Sequence, residues 1–123
     1  MTDAGAVELI PGKGRAVVAI RAIQAGETVA IAPVVVIPAA ERARVHATVL
    51  DDYLFAWAET SALALGWGGL FNHSYTPNLV YTRDFTAGNL VFTARRDIAE
   101  AEELTINYNG DADRRDPVWF EPR

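Results

Sequence analysis

Two short stretches of this sequence carry side chains that could do chemistry: Asn72-His73-Ser74-Tyr75-Thr76-Pro77-Asn78 and, roughly thirty residues later, Glu102-Glu103-Leu104-Thr105-Ile106-Asn107-Tyr108. His73 beside Ser74 invites a hydrolase reading. A nucleophilic serine, however, needs a base and an orienting carboxylate arranged around it in space, and adjacent residues cannot supply that geometry. His46 is the one other histidine, so the hydrolase reading is weak. The same segment suits a turn in which Asn and Ser side chains satisfy backbone groups and Pro77 fixes the chain. A third stretch, Gly12-Lys13-Gly14-Arg15, is either a plain hairpin turn or a place where backbone approaches a ligand closely and presents unpaired amides. With no cysteine and two histidines in 123 residues, the chain builds neither a disulfide framework nor a Cys/His zinc site, and thiol redox chemistry is excluded.

The net charge of −5 and a pI near 4.9 speak against a nucleic-acid binder, which shows a basic face to phosphates. An acidic protein suits a basic partner instead. Glu100, Glu102, Glu103, Asp111, Asp113 and Asp116 gather in the last quarter of the chain, where they either steer a Lys/Arg-rich peptide or simply keep the surface solvated. The N-terminus has no basic cluster followed by an apolar core. The most apolar run, Val29 to Ala40, is broken by Pro33 and Pro38 and falls short of the roughly 20 residues a membrane span needs. The expectation is a soluble, cytoplasmic protein with no membrane contact.

Elements must now hold these residues in place. Half the residues are apolar and the length is that of one domain, with no internal repeat or long linker. Short strands dominate. Val7 to Ile10 and Arg15 to Ile20 flank the glycine turn as a hairpin; a turn at Gln24 to Glu27 leads into a strand from Thr28 to Val36. Ala39 to Ala47 is the one good helix candidate, about two turns long. Tyr53, Phe55 and Trp57 alternate with Leu54 and Ala56, which predicts one face of a strand, although Leu50, Leu54 and Trp57 also fit helical spacing. Leu79 to Arg83 and Leu90 to Arg95 flank Ala87-Gly88-Asn89 as a second hairpin. A last strand, Leu104 to Tyr108, precedes an Asn109-Gly110-Asp111 turn and a tail ending in Val118-Trp119-Phe120. Large aromatics near a terminus need something to cover, either core or ligand.

The ordered set of Gly12-Lys13-Gly14, Asn72-His73-Ser74-x-x-Pro77-Asn78 and Glu102-Glu103-Leu104-Thr105-x-x-Tyr108, with Ala94-Arg95-Arg96-Asp97-Ile98 before the acidic pair, resembles the SET-domain family. The likeness runs from about Val7 to Phe120. It implies a mostly β, β-clip-like fold of several small sheets with one short helix and a knot-like C-terminal threading. In the family's terms, residues 1–123 form a single SET domain: 7–37 its N-terminal part, 38–69 a short insert, 70–108 its C-terminal part and 109–123 a tail that closes over the cofactor.

The resemblance further implies methyl transfer from S-adenosylmethionine to a lysine side chain of a protein substrate, which the chain's acidity suggests is basic. Many family members carry a zinc-binding cysteine cluster after the tyrosine strand, and the lack of cysteine here leaves the tail to close the site without metal. Such a transfer is an in-line displacement, so the protein must chiefly align the reacting atoms. The amine must first lose its proton from a group with a pKa of about 10.4, which desolvation and a neighbouring positive charge both favour. A channel walled by tyrosines provides apolar flanks for the lysine stem and hydroxyls that orient the amine. By resemblance, Tyr108 is the active-site tyrosine, and Tyr81 and Ile106 join it in lining the channel. Lys13, Gly14, Arg15, Asn72 and His73 hold the cofactor, with Trp119 or Phe120 over its adenine. Two departures concern backbone: Ala101 stands where the family usually has glycine, and Ala16 follows Arg15 where glycine is common. Each strains a turn if φ must be positive. Two other functions stay open at this level, a catalytically silent module of the same fold that binds a basic peptide, and a methyltransferase acting on a small molecule. A homodimer is also left open.

Overall fold

A computed structural model describes residues 4–12 and 14–108. The expectations placed on Lys13, Trp119, Phe120 and the whole 109–123 tail therefore lie outside the described residues. Strands β1 (Gly5–Ile10) and β2 (Gly14–Ala19) form the first hairpin, paired from Gly5 with Ala19 to Ile10 with Gly14. Its turn works because Gly12 and Gly14 both adopt positive φ, 80° and 85°, a region open to glycine without steric cost.

β3 (Thr28–Ile37) is the spine of a five-stranded sheet ordered β4-β5-β3-β8-β7. Its first half pairs with β8 (Asn89–Ala94) and its second half with β5 (Thr60–Ala64). Pro33, which has no N–H to give a ladder, falls where one partner hands over to the other. β4 (Leu54–Trp57) and β7 (Leu79–Asp84) are the two edges. The sheet curls until those edges meet. Arg83 Nε donates to the Ala56 carbonyl at 2.6 Å, Phe55 packs edge-on against Tyr81 at 5.2 Å, and Trp57 against Phe85 at 4.8 Å. A 3-10 turn, Gly66–Gly69, presses on the sheet so closely that a Cβ on Gly68 would lie 2.8 Å from the Cβ atoms of Ala32 and Ala64.

The third sheet is the smallest and positions the chemistry. β6 (Asn72–His73) runs parallel to β9 (Thr105–Ile106), pairing Asn72 with Thr105 and His73 with Ile106. Asn78, buried, ties the two segments side chain to backbone. Its Nδ2 donates to the Glu103 carbonyl at 2.7 Å, its Oδ1 accepts from Thr105 N–H at 2.9 Å, and its own carbonyl accepts from Arg95 N–H at 2.8 Å. The core beneath is apolar: Phe71, Phe92, Ile23, Leu79, Leu90, Ile98, Leu104 and Ile106 are fully buried.

The hairpins are as expected, and four elements differ. The helix is shorter, a 3-10 turn at Ala39–Glu41 followed by α1, Arg42–His46. Tyr53 closes a 3-10 turn, Val49–Tyr53, and leaves only Phe55 and Trp57 to share a strand face. β5 was not foreseen. The last strand is two residues long: the Asn78 side chain takes the Thr105 N–H at its start, and beyond its end the Tyr108 N–H goes to the His73 ring rather than to a ladder. Among the described residues no helix is long and apolar enough to cross a membrane.

Candidate active site

Asn72 stands where three segments converge. Its Nδ2 donates both to the Arg15 carbonyl at 3.0 Å and to Glu103 Oε2 at 2.7 Å. The Gly14-Arg15 start of β2, the β6 strand and the acidic pair are thereby one locality. Both amide hydrogens of Asn72 are committed to the protein, so Oδ1 and backbone are what it can offer a ligand. Among the described residues a Cβ built on Gly14 would meet nothing within 4 Å.

His73 is buried, and its Nδ1 accepts the Tyr108 N–H at 3.0 Å. That contact puts the ring proton of a neutral imidazole on Nε2. Burial holds the His73 pKa below its ordinary 6.5, because a low-dielectric setting disfavours the cation. Tyr75 packs edge-on against the His73 ring at 4.5 Å, and the Tyr108 ring lies 5.1 Å away on a tilt. Tyr108 is thus held at both ends: its amide by His73, and its hydroxyl by donation to the Phe71 carbonyl at 3.0 Å. More than a third of the residue is exposed, yet its phenol pKa is pushed up to about 12. Desolvation of the phenol is the main cause, followed by the Glu103 carboxylate and the neighbouring Tyr53 phenol; the His73 contact opposes them, and the Asp52 carboxylate adds the least.

Tyr81 is brought near by a different route. Its ring packs on Phe55 and, at 5.7 Å, on Phe92, with the Arg83 guanidinium 5.6 Å from its centroid. Burial raises its phenol pKa, and Arg83 partly offsets this. Phe92 in turn packs on Phe71 at 4.8 Å, whose carbonyl holds the Tyr108 hydroxyl. Three packed rings, Tyr81, Phe92 and Phe71, thus lead to the backbone carbonyl that holds the Tyr108 hydroxyl. Ile106 is fully buried beneath the crossing. Asp52 and Tyr53, which bear on Tyr108, were missed in the sequence because no motif marks them; proximity across the insert is a tertiary fact. Ala101 has φ of 72°, the strained case foreseen, whereas Ala16 has no positive φ and lies buried in β2.

Comparison with known proteins agrees with this geometry. Residues 14–109 match the family model described as SET domain. Over 112 residues the chain is 36% identical to a histone-lysine N-methyltransferase, H3 lysine-37 specific, of Schizosaccharomyces pombe, covering 89% of this chain and 71% of that protein. Its fold is similar to the crystal structure of a Plasmodium falciparum protein described as a candidate histone methyltransferase, with a TM-score of 0.70 at 28% identity, covering 88% of this chain and 95% of the other.

Proposed function

From the premise that this chain belongs to the SET-domain family, we propose that it is a protein-lysine methyltransferase using S-adenosylmethionine, acting on a lysine in a basic protein segment. The observation that carries the reading is the β6/β9 crossing, which ties Tyr108 to His73 and sets both beside the Gly14-Arg15 turn. The residues fit the cofactor. Clearance at Gly14 among the described residues, free acceptor capacity on Asn72 and the Glu103 carboxylate beside it suit a ligand that is cationic at its methionine end. Gly14, Arg15, Asn72 and His73 would hold it, together with Lys13 and the Trp119-Phe120 tail, which lie outside the described residues. When bound, this cofactor supplies an electrophilic methyl group on a positively charged sulfur.

The chain's own part follows from the state of Tyr108. A phenol with its pKa near 12 is neutral across the physiological range, so it does not take the lysine proton. That proton must leave to water before transfer. With its hydrogen donated to the Phe71 carbonyl, the hydroxyl would act towards the amine as an acceptor, taking an amine N–H and so pointing the nitrogen lone pair. The carboxylates of Glu103 and Asp52 attract the lysine as a cation. Contact with the rings then desolvates the amine and favours its neutral form.

Tyr108→Phe keeps the His73 contact and loses only the hydroxyl. Turnover should fall by about 10²-fold, on the scale of one positioned polar group lost from a transition state, with cofactor affinity retained. Full activity in that variant, followed by mass spectrometry of a basic peptide, would exclude the assigned site.

A further inference from the structure

Helix α1 and the 3-10 turn after it contain a linked polar cluster that methyl transfer does not explain. His46 stands between Ser61 of β5 and Asp51 of the turn: Nε2 is 2.8 Å from Ser61 Oγ, and Nδ1 is 2.5 Å from Asp51 Oδ1. Arg42 Nε, one turn earlier on α1, is 3.4 Å from the same Ser61 Oγ. A guanidinium only donates and a carboxylate only accepts. With a neutral imidazole, all three contacts are satisfied by a single direction: Arg42 N–H to Ser61 Oγ, Ser61 O–H to His46 Nε2, and His46 Nδ1–H to Asp51.

Serine, histidine and aspartate in this order have the connectivity of an acyl-transfer triad. Ser61, however, is 3% exposed, enclosed between its partners Ile37 on β3 and Ala56 on β4. No carbonyl substrate reaches its Oγ. The relay holds a turn in place instead. Thr48 Oγ1 accepts from Leu50 N–H at 3.2 Å and donates to the Val45 carbonyl at 2.6 Å, while Asp51 N–H donates to the Thr48 carbonyl at 3.1 Å. Helix and turn thus form one body, and His46 fastens it to the sheet. The residues next delivered are Asp52, whose carboxylate bears on the Tyr108 phenol, and Tyr53, a neutral phenol that closes the turn. The chain then enters β4, where Phe55 packs on Tyr81.

We propose that His46 is a positioning residue for the lysine end of the site: by joining Ser61 to Asp51 it fixes the turn that carries Asp52 and Tyr53. This rests on the methyltransferase reading above and adds how the insert is held. Tyr108 keeps its own ties to His73 and Phe71 when the relay is cut, so substrate binding should suffer and turnover should not.

The test is a double-mutant cycle of His46→Ala and Asp51→Ala, with hydrogen exchange measured on the free proteins. Either variant should speed exchange at the Leu50 and Asp51 amides by about tenfold and raise the peptide KM by about fivefold, the scale of one charge-assisted hydrogen bond, with kcat within about twofold. The double variant should be no worse than either single one. Asp51 is largely exposed on its side chain, so its variant folds even if His46→Ala does not. Unchanged exchange, additive effects, or equal losses in kcat and kcat/KM would overturn the proposal. Exchange needs neither cofactor nor substrate. A wild-type protein that transfers no methyl would therefore sink the methyltransferase reading and leave the clamp to be decided separately.

Discussion

Ala101→Gly and Ala16→Gly are the same chemical change at two departures from the family pattern, and the structure gives them opposite signs. Ala101 sits in the turn Ala99 to Glu102, closed by Glu102 N–H to the Ala99 carbonyl at 3.1 Å, and it has φ of 72°. Positive φ at the second central residue is what a type II turn demands and what glycine supplies. A Cβ in that conformation costs about 1–2 kcal/mol. Glycine removes the cost but gives the unfolded chain back about 0.4–1 kcal/mol of entropy. Ala101 is exposed, so its methyl contributes little packing. The net gain is about 0.5–1 kcal/mol, or roughly 2–5 °C in Tm for a chain of this size. Ala16 lies in β2 opposite Glu8 and is fully buried. Glycine there forfeits a buried methyl, about 0.8 kcal/mol, and adds about 0.5–1 kcal/mol for a glycine inside a strand. Equilibrium denaturation in urea should show the midpoint rising for Ala101→Gly and falling for Ala16→Gly, with the slope unchanged in both. If both variants lose stability alike, the strain assigned to Ala101 is not real.

Tyr81→Phe keeps the ring in its seam with Phe55 and Phe92 and removes only the hydroxyl; if the resemblance places that hydroxyl rightly in the lysine channel, the product on one peptide should shift from monomethyl towards dimethyl lysine. An unchanged product with only an altered rate, read by mass spectrometry, places Tyr81 outside the channel. Truncation after Pro117 should weaken S-adenosylmethionine binding in calorimetry by roughly 1–3 kcal/mol, the scale of stacking on an aromatic ring; unchanged affinity denies the tail its closing role. The lowered pKa of buried His73 gives stability a pH dependence. Between 6.5 and the lowered value the unfolded chain binds the extra proton, so this contribution is complete above pH 6.5 and is lost as pH falls below it, at up to about 1.4 kcal/mol per pH unit. Denaturation from pH 8 to 5 on His46→Gln, which leaves His73 as the one histidine, should retain that slope, and a flat profile would count against a buried neutral imidazole.

What could be read from the sequence was local. Both hairpins announce themselves through apolar runs around glycines that do take positive φ, Gly12, Gly14 and Gly88. β5 was illegible because Thr60-Ser61-Ala62-Leu63-Ala64 has little β-branched or aromatic content. It is a strand because β3 and β4 pair with it on either side, and its alanines are small because Gly68 packs against Ala64. The Tyr53-Phe55-Trp57 alternation misled at Tyr53, where Thr48 caps a 3-10 turn before the strand begins. In the site, Asn72, His73 and Tyr108 were legible as words of a motif. The Ser61–His46–Asp51 relay was not, since it depends on how the insert folds back on the sheet.

The legible residues are of two physical kinds, and this alters what an inactive variant means. Asn78 is buried with its side chain spent on Glu103 and Thr105, and Asn72 spends its amide hydrogens on Arg15 and Glu103. Removing the Asn78 side chain strands buried backbone groups in the crossing, at about 1–3 kcal/mol for each one left unpaired, and removing that of Asn72 loosens the half-exposed junction of Arg15 and Glu103. Activity would vanish with the fold, and nothing about the chemistry would be learned. Tyr108 differs because its link to the crossing is a backbone N–H, which survives any side-chain change. Its hydroxyl donates to the Phe71 carbonyl, which solvent can satisfy in its place. A side chain that can be altered without unmaking the crossing is therefore also the one proposed to touch the amine. A motif of this type joins structural asparagines to a chemical tyrosine because a two-residue parallel ladder is too short to hold them together by backbone alone.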